Sequence, residues 1–108
     1  MQTGWLWCGI DQEEIESFIA HDQWSTHLAK RVETADALDL TIRAMTKPES
    51  VEPDQNRPDE PSRYFRLLTV SAADIRSGYN LRVSVKYVRQ PNGAWFKFYR
   101  SCWFERVK

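Results

Sequence analysis

Six polar side chains in this 108-residue sequence have the chemistry to act on a charged substrate: His27, Arg31, Arg63, Arg66, Lys97 and Ser101. His27 and Arg31 are four residues apart, so on a helix they share one face. The runs Arg63-Tyr64-Phe65-Arg66 and Lys97-Phe98-Tyr99-Arg100 interleave cations with aromatic rings. That interleaving suits backbone phosphates beside stacked bases, with Arg66, Arg82, Lys97 and Tyr99 as the contacts. A plainer account is also open. Lys97, Tyr99 and Ser101 alternate with Phe96 and Phe98 as on any strand with one wet face, and Arg66 and Arg82 decorate wet faces likewise. His27 is then a solvated or capping side chain, and Arg31 a cation at a helix C-terminus.

Other chemistries are excluded by what is missing. No glycine-rich phosphate loop, paired-cysteine metal motif or nucleophile elbow occurs in the chain. Cys8 and Cys102 read as two reduced, partly buried thiols. His21 and His27 are six residues apart rather than four, so no helical ligand pair forms, and no metal site is expected. No stretch approaches the roughly 20 apolar residues of a membrane span. Without a basic leader or a small-residue cleavage site, the expected location is cytoplasmic.

Charge is divided along the chain. The net charge is zero, yet residues 1–62 carry five Lys/Arg against thirteen Asp/Glu, and residues 63–108 carry ten against two. Either an acidic half neutralises a basic half, or the second half presents a basic face to a polyanion.

The elements that must position these groups follow from periodicity. The length fits one domain, 1–108, with residues 1–21 as an N-terminal arm and helix and residues 22–104 as the core. Met1 to Ile10 is a Trp-rich edge strand or arm. Asp11 and Glu14 resemble a capping box, which predicts a helix with Ile15, Phe18 and Ile19 as its stripe. A second helix is predicted from after Asp22 to about Arg31, with Trp24 and Leu28 facing inward. A third is predicted from Thr34 as N-cap, with Leu38, Ile42 and Met45 as its stripe and Pro48 as its stop. Period two then takes over. Strands are predicted at Glu49–Asp54, Arg63–Val70, Leu81–Arg89 and Ala94–Phe104, with a Pro91-Asn92-Gly93 hairpin turn between the last two. The expected fold is α+β, two or three N-terminal helices packed on a four-stranded antiparallel sheet. Trp24, Leu28, Leu38, Ile42, Val83, Val85, Phe96 and Phe98 are its expected core.

The runs Trp24-Ser25-Thr26-His27-Leu28-Ala29-Lys30-Arg31, Thr41 to Val51, Arg63-Tyr64-Phe65, Leu81 to Val85 and Tyr99-Arg100-Ser101-Cys102-Trp103 carry a resemblance. In this order they resemble the barnase, EndoU, colicin and RelE-like nuclease superfamily, particularly its phage-associated and BrnT-like small members. The resemblance implies metal-independent, cofactor-free RNA cleavage in a toxin setting, with RNA and an antitoxin as partners. It would make His27 the acid/base group, place Arg31 and Arg63 at the scissile phosphate, and take a hydroxyl from Ser101. An imidazole that titrates near neutrality and guanidinium forks on a phosphorane suit those roles. The chain departs from the pattern in Ser101-Cys102-Trp103, where Thr, a small residue and Tyr are commoner, and in Val32-Glu33 after the His helix. The competing expectation is a non-catalytic protein-interaction or phage-accessory domain of the same fold. No small-molecule ligand is expected. The two are separated by whether His27, Arg31, Arg63 and Ser101 surround one open cleft.

Overall fold

A computed structural model describes residues 4–108; the expectation for Met1 to Thr3 lies outside the described residues. The chain order is β1 (Trp5–Ile10), β2 (Glu16–Ala20), α1 (His21–Lys30), a 3-10 turn (Val32–Thr34), α2 (Leu38–Thr46), β3 (Ser50–Pro53), β4 (Arg63–Ser71), β5 (Tyr79–Arg89) and β6 (Trp95–Arg106). All six strands form one sheet in the order β1-β2-β6-β5-β4-β3. β2 runs parallel to β6, and the other neighbours are antiparallel.

This corrects the expected fold. The sheet is six-stranded and mixed rather than four-stranded and antiparallel, and among the described residues only two short α-helices pack on it. The predicted first helix is a hairpin arm instead. The Asp11 carboxylate accepts backbone N–H bonds from Glu13 (2.8 Å) and Ile15 (2.9 Å), which closes a tight turn with Glu14 in the left-handed region. An acid ahead of a short apolar run marks a turn as readily as a helix start. Five residues are also too few for period 3.6 to be told from period 2. Thr34 is not an N-cap either. It is buried in the 3-10 turn with its hydroxyl donating to the Arg31 carbonyl, and α2 starts four residues later without a side-chain cap.

The helices cover one face of the sheet only. Beneath them lies the inward line of the central strands: Leu81, Val83, Val85 and Tyr87 of β5, with Leu68 and Val70 of β4. These meet Trp24 of α1 and Ala44 and Met45 of α2, and none of the nine is more than 6% exposed.

The expected core is right for Trp24, Val83 and Val85. Leu28, Leu38, Ile42, Phe96 and Phe98 are only half-buried. In α2 the deepest positions are Thr41, Ala44 and Met45, where the small Thr41 and Ala44 side chains let the helix approach the sheet closely. Phe96 and Phe98 fall short for another reason: they point away from the helices altogether.

One irregularity in β6 decides where its side chains go. Val85 pairs with Tyr99 and Ser84 with Ser101, which leaves Arg100 as the extra residue of a β-bulge. Before the bulge, Lys97 and Tyr99 face the helices; after it, Cys102 and Phe104 do. Phe96, Phe98, Ser101 and Trp103 belong to the opposite, helix-free face. Strict alternation would keep Ser101 on the side of Lys97 and Tyr99, and a single inserted residue reverses that. Gln23 of α1 donates to the Arg100 carbonyl at 2.6 Å, which satisfies a backbone group at the bulge.

Candidate functional site

The four residues of the expected cleavage site do not meet. His27 points from α1 into the covered face and is 7% exposed. Its Nε2 lies 3.6 Å from Cys102 Sγ, and its ring is edge-on to Tyr99 at 6.1 Å. Burial first, and the Arg31 cation second, hold its imidazole below the ordinary histidine value. Arg31 follows the end of α1, is exposed, and pairs with Glu33 at 3.8 Å. Arg63 begins β4 and binds Glu60 at 3.2 Å. Ser101 is on the helix-free face, with the sheet between it and His27. The neighbour that does reach His27 is Cys102. A Cys–His pair is a nucleophile's equipment, but this thiol is fully buried and burial pushes it up, the reverse of activation.

The four expected RNA contacts are committed elsewhere. Lys97 is 1% exposed; its Nζ binds the Asp11 carboxylate at 2.6 Å and donates to the Met45 carbonyl at the end of α2. Burial alone would raise Asp11, but the bonds from Lys97, Ile15 and Glu13 outweigh it and hold the carboxyl below its usual range. Tyr99 is buried with its hydroxyl donating to Cys102 Sγ at 3.6 Å. Arg66 makes a two-pronged bond to Asp59, at 2.8 and 3.1 Å. Arg82 pairs with Glu52 at 2.9 Å and Glu105 at 3.1 Å. Arg63, Arg66, Arg82 and Lys97 thus all find carboxylates, four of them from the acidic first half of the chain. The charge division is thus in part internal neutralisation.

One group of uncommitted side chains lies on the helix-free face. One row across the sheet reads Phe65, Lys86, Phe98, Phe18 and Cys8, from β4 to β1. Phe18 and Phe98 stack with centroids 5.3 Å apart, and Trp5 tilts over both at 4.8 and 6.0 Å. Trp5 is 49% exposed. Phe18, Ala20, Gln23, Lys86, Phe98 and Arg100 line an open cavity of about 430 Å³. A second, of about 360 Å³, is lined by Arg57, Leu67, Ser84, Arg100, Ser101 and Trp103 among others. Arg100 borders both. Its Nη1 donates to Ser84 Oγ at 3.0 Å and its guanidinium lies 5.2 Å from the Phe65 ring. Among the described residues, no carboxylate comes within ion-pair distance of Arg100 or Lys86.

Sequence reasoning missed Phe18, Lys86, Phe98, Arg100 and Trp103 as a group. Phe18 reads in the sequence as part of a helix stripe, and the other four cannot be placed on a common face until the bulge is known. No protein family matches the chain, and no curated protein or solved structure matches it significantly. Among the described residues, no helix is long and apolar enough to cross a membrane.

Proposed function

We propose that the chain is a binding module that takes single-stranded RNA on the helix-free face of its sheet and does not cleave it. The observation that carries this is one open pocket that sets two cations beside the stacked Phe18–Phe98 pair. Lys86 and Arg100, which among the described residues have no carboxylate within ion-pair distance, stand beside half-buried aromatic rings. Aromatic planes flanked by cations hold single strands by stacking and by phosphate contact. The RNA-directed part of the family resemblance fits this reading; its acid/base part does not, since His27 is buried away from Ser101. The test is to incubate the purified chain with labelled RNA in chelator. Binding that weakens as salt rises, with the RNA intact, is the expected result. Metal-independent decay that is lost in His27→Ala would overturn it.

A second reading has its own observation. β1 is an edge strand with Ile10 63% exposed, and a free edge can accept a strand from another protein. We infer that a protein partner, if one binds, adds there. Concentration-dependent association lost in a Cys8→Pro variant is the expected sign.

A further inference from the structure

We propose that the helix-free face holds one dinucleotide step, with Arg100 and Lys86 on the phosphate between two bases, one base over Phe18 and Phe98 and the other against Trp103. This rests on the RNA-binding reading above and specifies where on that face the strand lies. Among the described residues Arg100 alone lines both cavities, so a group bound to it has one open pocket on each side. On one side the floor is the stacked Phe18–Phe98 pair. On the other, Trp103 and Leu67 provide the apolar wall, and the Ser84 and Ser101 hydroxyls provide polar contacts. The Asp54 carboxylate also borders this second pocket, where it pairs with Arg57 at 3.9 Å rather than with Arg100.

The bulge is what aims Arg100 there. As the extra residue of β6 it lies outside the ladder pairing, and bulges re-aim side chains in this way. Three contacts hold it: Gln23 on its carbonyl, Ser84 on its guanidinium, and the Phe65 ring beside it. A guanidinium has five N–H donors, and Ser84 accepts from one nitrogen only, so a fork remains for a phosphate. Burial first, and the nearby Arg57 second, disfavour its charge. An incoming anion would offset the repulsion from Arg57. A larger contact surface is available from Trp5, but the Glu16 carboxylate at the Phe96 end of the face sets a limit on that side.

The experiment measures anisotropy of a labelled eight-nucleotide RNA with the full chain, over a range of salt concentrations. Arg100→Ala should weaken binding about tenfold or more and flatten the salt dependence by roughly 0.7 in log–log slope, the share of one phosphate on a single strand. Arg100→Lys, which keeps the charge without the fork, should recover part of the loss. Trp103→Ala should weaken binding by a similar factor through lost stacking, whereas inorganic polyphosphate should compete poorly. Thermal melts identify any variant that fails to fold, in which case Arg100→Lys and Lys86→Ala carry the test. Wild-type binding that all these variants leave unchanged overturns the dinucleotide placement but keeps RNA binding. Full competition by polyphosphate, with no effect of Trp103→Ala, overturns the stacked-base arrangement. No binding by the wild type at low salt overturns the RNA reading itself.

Discussion

The two faces of the sheet use similar residues to opposite ends. On the covered face, Lys97, His27, Tyr99 and Cys102 are buried, and each has a partner within the domain. On the helix-free face, no carboxylate of the described residues is within ion-pair distance of Lys86 or Arg100, and Phe18, Phe96 and Phe98 are only half-buried. Chemically capable residues are therefore a poor guide to a site when read singly. What distinguishes a structural cation from a binding one is whether the fold has already supplied its counter-charge.

The largest expected effect tests the covered face. Lys97→Met is close in volume but leaves the Asp11 carboxylate buried without its ammonium. Unfolding free energy in urea should fall by about 3–5 kcal/mol, the usual cost of breaking a buried pair. A loss well under about 1 kcal/mol would show that the pair is solvated and that the two faces hold their cations alike.

Next is a matched pair of truncations. Leu68→Ala, beneath the helices, should cost about 2–5 kcal/mol. Phe98→Ala should cost less than Leu68→Ala in the same denaturation experiment and should also weaken RNA binding. Equal losses in stability, with RNA binding untouched, would make the helix-free face a second core.

Neighbouring residues give a finer test. Cys102→Leu enlarges a filled site and should cost about 1–3 kcal/mol. Ser101→Leu, one residue away on the other face, should stay within about 0.5 kcal/mol. Similar values for both would argue against opposite faces for Ser101 and Cys102.

The smallest effect concerns pH. The folded state holds His27 below its unfolded value, so both states are neutral above about pH 6.5 and no penalty arises there. As pH falls through that value, the unfolded chain takes up a proton that the folded chain resists, and stability is lost. The melting temperature should therefore drop between about pH 7.5 and 5.5, and His27→Gln should drop less. Identical pH dependence in the two proteins would place His27 in solvent.

Many of the local elements are legible in the sequence, but the six-stranded mixed sheet they build is not. The helix that carries His27, the stop at Pro48, the four later strands and the Pro91-Asn92-Gly93 turn all appear near their predicted places, since each has a local cause. The arm is where local signals fail. Asp11 and Glu14 suit a turn as well as a cap, and only pairing with β1 and β6 makes Glu16–Ala20 a strand. The candidate site is legible in its composition, cations among aromatic rings, but not in its membership. Arg66 and Lys97 look as available in the sequence as Lys86 and Arg100 do, because their partners Asp59 and Asp11 are brought to them by the fold.

By itself, then, the sequence determined residue periodicity, turn chemistry and the division of charge along the chain. These depend on neighbours a few positions away, where backbone geometry is set. Only the tertiary structure decided which face each β6 side chain occupies and which cations keep a free charge. Both depend on a one-residue bulge opposite Ser84 and on carboxylates that are distant in the chain, and neither leaves a local trace.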